Sequence, residues 1–261
     1  MELNLQNKHA LVCGSTAGIG RATAILLAKE GVQVTLVARN EDKLKKVLAE
    51  LPGTDRNHRY IVADFQDPVA LGQKVRKHLR NIKRCHILVN NTGGPKSGSI
   101  LEASLDELEE AFTRHLKANQ VLAQTVIPYM KAEGYGRIVN IISTSVKEPI
   151  EGLGVSNTIR GAVGNWSKTL AGEVARFNIT VNNVLPGFTM TDRLTEIIRI
   201  KAEKEGTSIA EMTEMMKSYA PAKRFASPEE IANAIVFLAS EAAGFITGIN
   251  VPVDGGRTKS L

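Results

Sequence analysis

Three glycines, Gly14, Gly18 and Gly20, stand within the stretch Cys13-Gly14-Ser15-Thr16-Ala17-Gly18-Ile19-Gly20. The apolar run His9-Ala10-Leu11-Val12 precedes it and reads as a short buried strand. The segment Arg21 to Ala28 follows and reads as a helix, stopped by Gly31. Strand, glycine turn and helix make the first half of a nucleotide-binding βαβ unit. Such a turn needs residues without Cβ where backbone approaches a pyrophosphate. The free N–H groups at the helix start then face the phosphates. Ser15, Thr16 and Ile19 lie inside the turn and are candidate cofactor contacts with the glycines. The spacing G-x-x-x-G-x-G is not the commoner G-x-G-x-x-G, and a glycine-rich turn with no ligand is the plainer alternative.

Other residues with chemistry follow later apolar runs. Ala38 and Arg39 come after Gln33-Val34-Thr35-Leu36-Val37, where an adenosine ribose should lie. A carboxylate there would suit NAD. Ala38 offers none, and the Arg39 fork suits a phosphate dianion, which favours NADP over NAD. A plain surface arginine is the other reading. Asp64 and Phe65 follow Tyr60-Ile61-Val62-Ala63. Asp64 can accept from an adenine amino group or cap the next helix, although Asp67 is better placed for capping. Asn91, Thr92 and Gly93 follow Ile87-Leu88-Val89-Asn90 and should line the cofactor channel. Pro186, Gly187, Phe188, Thr189 and Thr191 follow Thr180 to Val184. They can reach a nicotinamide amide and a pyrophosphate through backbone and hydroxyls.

These residues need a scaffold that brings strand ends together. Apolar runs alternate with helical patterns along nearly the whole chain, including long helical stretches at Leu105 to Glu133 and Gly154 to Phe177. That alternation predicts an α/β fold, a doubly wound parallel sheet with helices on both faces. Ligands in such a sheet lie beyond the carboxyl ends of the strands. No linker or internal repeat appears, so residues 1–261 read as one domain. A composition of 43% hydrophobic residues supplies a large core. No apolar run is long enough to span a bilayer, and no signal pattern opens the chain. Cys13 and Cys85 read as buried thiols, which suggests the cytoplasm, and no Cys/His cluster has metal spacing. The net charge of +6 gathers on helices around Lys43 to Lys46 and Lys74 to Arg84. Without interleaved aromatics these are read as solvated faces rather than a nucleic-acid surface.

The glycine turn, Asn90-Asn91-Thr92-Gly93, Pro186-Gly187 with its threonines, Arg224 to Ala232, and Ile246-Thr247-Gly248 to Gly256 occur in order. With these motifs the chain resembles the short-chain dehydrogenase/reductase family over residues 5–257. The resemblance implies a single-domain Rossmann fold with seven strands, a nicotinamide cofactor, a carbonyl or alcohol substrate and a homo-tetramer. It also implies an active site made of Asn, Ser and a Tyr-x-x-x-Lys pair. The serine matches Ser143. The tyrosine position holds Ser156, the lysine position Arg160, and the asparagine position His115. Arg160 can still hold ribose hydroxyls.

Serine is a far weaker acid than a phenol, and arginine does not exchange its proton at working pH. His115 is therefore expected either to supply the proton, since imidazole titrates near neutrality, or to be a buried structural residue. Tyr219-Ala220-Pro221-Ala222-Lys223 spells Tyr-x-x-x-Lys, but Pro221 breaks the helix the motif requires. A substrate lid is expected over about residues 190–222. Its stripe Ile209, Met212, Met216, Tyr219 would pack as core or cover an apolar small-molecule substrate. Two functions remain open: an NADP-dependent oxidoreductase with an altered proton relay, and a non-catalytic NADP(H)-binding protein.

Overall fold

The computed structural model describes residues 1–260. Seven strands form one parallel sheet in the order β3-β2-β1-β4-β5-β6-β7. They are β1 (His9–Cys13), β2 (Gln33–Ala38), β3 (Arg59–Val62), β4 (Ile87–Asn90), β5 (Gly136–Ile141), β6 (Ile179–Pro186) and β7 (Asn250–Val253). The order reverses between β1 and β4, and the cleft at that switch point is where such sheets take ligands.

Successive strand residues feed opposite cores. Ala10, Val12, Val34, Leu36, Val89 and Val139 enter one, with helices α1 (Gly18–Lys29), α2 (Glu41–Glu50) and α9 (Pro228–Leu238). Leu11, Cys13, Val37, Leu88 and Ile138 enter the other, with α3 (Pro68–Ile82), α5 (Ala118–Glu133) and α6 (Gly154–Val174). Burial on both faces explains why these strands are continuous apolar runs rather than alternating ones. Both cysteines are free and buried, and burial pushes the Cys85 thiol up to about 12. Among the described residues no helix is long and apolar enough to cross a membrane.

The structure refines two expected elements. The stretch from Leu105 to Glu133 is not one regular helix: α4 (Leu105–Phe112) runs into a π-helical turn at Thr113–Lys117 before α5 begins. The widened turn lies at His115, and such turns are frequent at functional sites. The lid is two helices, α7 (Asp192–Glu205) and α8 (Ile209–Ser218). Met212 and Met216 are fully buried in the lid's own small core with Leu194, Ile198, Ala202 and Phe225. Ile209 and Tyr219 are exposed. The stripe is therefore packing between α7 and α8, and its methionines do not form a cover for substrate. The helix ends at Ser218 and Lys223 has φ 55°, so Tyr219 and Lys223 do not share a helical face.

Candidate active site

The glycine turn closes the end of β1. Gly14 and Gly18 have φ of 57° and 51°, a conformation that disfavours side chains. A Cβ on Gly20 would lie 2.2 Å from the Gly14 carbonyl oxygen, so α1 can approach the turn only as glycine. The Asn91 amide donates to the Gly14 carbonyl at 3.1 Å, which ties the end of β4 to the turn. A Cβ on Gly18 would meet the Thr191 methyl at 2.9 Å. The loop after β6 therefore reaches back to the same place.

The N-terminus of α1 carries no side-chain cap, because Ala17 stands at the capping position. The Ser15 hydroxyl is buried without a partner. Open helix N–H groups, a bare turn and a waiting hydroxyl fit a pyrophosphate. Asp67 caps α3 through the Ala70 N–H, which leaves Asp64 free of that duty. Arg39 projects from the end of β2, its guanidinium 4.0 Å from the Asp64 carboxylate, with both side chains largely exposed. Phe65 is different: its side chain packs in the core under β3, so only its backbone can face a ligand. Thr191 caps α7 through the Leu194 N–H, and the Thr189 hydroxyl donates to the Gly187 carbonyl. Both hydroxyls shape the loop. The Phe188 ring faces the lid, 6.2 Å from the Tyr219 ring and 6.1 Å from that of Phe225.

Beyond β5 stands the second group. Ser143 caps a short 3₁₀ turn, its hydroxyl accepting from the Ser145 N–H at 3.1 Å. Ser156 and Arg160 lie one turn apart on α6. Arg160 is buried, its Nη1 donates to the Ile141 carbonyl at 2.9 Å, and its Nε has no partner. Burial, then the nearby Arg193, push its pKa down to about 10, so it stays charged at neutral pH.

His115 corrects the expectation of a neutral-range acid. Its ring is 2% exposed and Nε2 has no partner. Burial, and then the charges of Arg160, Arg114 and Arg193, push its pKa down to about 2. The imidazole is therefore uncharged throughout the working range. It can exchange hydrogen bonds there, but it carries no second, imidazolium proton to give up near neutrality.

Arg193 was not singled out from the sequence. In the first turn of α7 it reaches across to the loop after β4, donating to the Gly94 and Pro95 carbonyls at 3.1 and 3.0 Å. Its only available signal was an arginine two residues after Thr191.

A cofactor turn at a switch point, with a polar cluster beyond β5 and a lid after β6, defines a nicotinamide-dependent oxidoreductase on a Rossmann fold. The chain belongs to the short-chain dehydrogenase/reductase family and is an NAD(P)-dependent oxidoreductase of that type, acting on a carbonyl or alcohol. The matching family model, described as enoyl-(acyl carrier protein) reductase, spans residues 14–258. The chain is 30% identical to the NADPH-dependent reductase BacG of Bacillus subtilis (strain 168), covering 98% of this chain and 100% of that protein. It is 33% identical to the 3-oxoacyl-[acyl-carrier-protein] reductase FabG of Aquifex aeolicus (strain VF5), covering 98% and 99%. The crystal structure of L-sorbose reductase from Gluconobacter frateurii, complexed with NADPH and L-sorbose, superposes with a TM-score of 0.94 at 33% identity, covering all of both chains.

Proposed function

We propose that the protein is an NADP(H)-dependent reductase of a small carbonyl compound, with Ser156 and Arg160 at the positions of the family's tyrosine and lysine. The observation that carries this reading is the bare glycine cradle, with its uncapped helix and the unpartnered Ser15 hydroxyl. Gly14, Ser15, Thr16, Gly18, Ile19 and Gly20 would hold the pyrophosphate. Ala38 and Arg39 would take the adenosine phosphate, and Asn91, Thr92, Gly93 and the loop Pro186 to Thr191 the nicotinamide side. The relatives' NADPH supports the same choice.

When bound, the cofactor supplies the hydride. Arg160, fixed to the Ile141 carbonyl, holds ribose hydroxyls and steadies negative charge without giving up its proton. Ser143 and Ser156 are both partly exposed and orient the substrate oxygen. Neither the serines nor His115 is a net acid near neutrality, although a serine hydroxyl can pass on a proton it regains from water. The alkoxide is therefore protonated from water through the serine hydroxyls, and the rate bears the cost of a missing general acid.

The test is titration with NADPH and NADH, in wild type and in Arg39→Ala. Wild type should prefer NADPH, and the variant should lose about tenfold of that preference, as one charge-assisted phosphate contact requires. An unchanged ratio defeats the assignment. Binding without oxidation of NADPH, across a panel of aldehydes and ketones, favours a non-catalytic binding protein instead. We further propose a cytoplasmic homo-tetramer. Fully exposed Phe245 and partly exposed Ile249 beside β7 support assembly, and a monomer by light scattering at micromolar concentration would refute it.

A further inference from the structure

The cleft holds more positive charge than its own residues balance. Arg160, on α6, is bonded to the end of β5, and Arg193, on α7, to the loop after β4, at the carboxyl ends of neighbouring strands. Each is felt electrostatically by His115, and Arg193 also lowers the pKa of Arg160. Among the described residues, no carboxylate pairs with either one. Arg114, also close to His115, is paired with Glu110.

Two guanidinium groups held near each other with no counter-ion are costly, and more so when one is buried. The fold nevertheless fixes both through backbone carbonyls, one for Arg160 and two for Arg193. A guanidinium has five N–H donors, so most remain uncommitted. The buried Nε of Arg160 and Nε2 of His115 are without partners.

We propose that the carbonyl substrate carries a carboxylate, received by Arg193 together with Arg160, beside the unpartnered His115 Nε2. This rests on reading the cleft as a carbonyl-reducing site. An oxo acid would place its carbonyl near Ser143 and Ser156 while its carboxylate supplies the missing negative charge. The neutral imidazole adds a hydrogen-bonding group and no further cation to the cluster. The rival source of an anion is the cofactor itself, since Arg193 lies two residues from Thr191, whose methyl borders the glycine turn at Gly18.

The experiment uses matched pairs, 2-oxo-4-phenylbutanoate with its ethyl ester and 3-oxobutanoate with its methyl ester. Binding to the NADP⁺-loaded protein is measured by calorimetry, and turnover by NADPH absorbance. The acids should bind at least about tenfold more tightly than the esters, the scale of one hydrogen bond between charged groups. Arg193→Gln should erase that preference with NADPH affinity unchanged, and Arg193→Lys should restore part of it. Equal binding of acid and ester, binding of neither, or a preference that survives Arg193→Gln overturns the proposal. So does a loss of NADPH affinity in Arg193→Gln with the acid preference intact, which would assign the arginine to a cofactor phosphate. Acid-selective binding without hydride transfer would keep the carboxylate site and defeat the reductase reading, so the two failures are distinct.

Discussion

The two halves of the sheet solve different problems. At β1 and β2 the candidate cofactor site is mostly backbone, a turn without side chains and an uncapped helix, with one exposed arginine beside it. At β4, β5 and β6 it is made of side chains whose behaviour depends on what surrounds them. The interior follows the same division. Asn90, Asn140, Asn183 and Asn250 are register partners across β4, β5, β6 and β7, and their amides bond in sequence at 2.8, 2.9 and 2.8 Å. Ser167 on α6 joins the chain at Asn140 and Asn183. The row braces the strands from which Ser143, Ile141 and the lid loop extend. A backbone site needs only space, whereas a side-chain site needs its environment held in register.

The largest expected effect lies in the backbone half. Gly20→Val puts a branched side chain where even a Cβ lies 2.2 Å from the Gly14 carbonyl. Cofactor affinity should fall by roughly a hundredfold or more, because shape complementarity there cannot be regained without moving the turn. NADPH fluorescence titration measures this, and circular dichroism separates it from unfolding. Near-normal affinity in a folded variant would show that the turn does not need position 20 to lack a side chain.

The polar half should respond in stability first. Asn140→Leu removes the acceptor for Asn90 and a donor to Ser167 and Asn183. The Asn90 Oδ1 already lacks a partner, so its whole amide is stranded. A loss of about 3 kcal/mol is expected in urea unfolding, the cost of leaving buried polar groups unpaired. A change under about 0.5 kcal/mol, the level of an ordinary surface substitution, would mean the row is incidental.

This division also decides what the sequence can reveal. The fold and the glycine turn are legible because they rest on spacing: Gly14, Gly18 and Gly20 must lack side chains, and doubly buried strands must be apolar. Asp67 as a cap is legible for the same local reason. The π turn at His115 is not, since nothing in Thr113 to Lys117 breaks a helical pattern. The buried fate of Met212 and Met216 depends on α7 folding against α8. Arg193 acquires meaning only when the lid brings it to Gly94. The family resemblance marks His115 as a candidate site residue, but its protonation is set by burial and by the charges of Arg160, Arg114 and Arg193, which the resemblance does not give.

That protonation gives the last and smallest effect, and it tests the contrast most directly. In the unfolded chain His115 titrates near its ordinary value of about 6.5. In the folded protein it stays neutral until about pH 2. Below pH 6.5 the unfolded state thus binds a proton that the folded state refuses, so stability falls as pH falls. The contribution is intact above about pH 7 and amounts to a loss of about 2 kcal/mol by pH 5. His9, also buried with its pKa well below normal, and the less buried His78 and His86 add to the same slope. His115→Asn should flatten the fall between pH 7 and pH 5 by about 2 kcal/mol, measured by urea unfolding at both values. The kcat/KM profile between pH 6 and pH 8 should keep its shape, because no imidazole proton is being delivered. An unaltered stability slope, together with a lost inflection in kcat/KM, would show that His115 is protonated in the folded site. The His115 ring would then titrate much as it does in solution, and the environment would count for far less in this half of the molecule than its geometry implies.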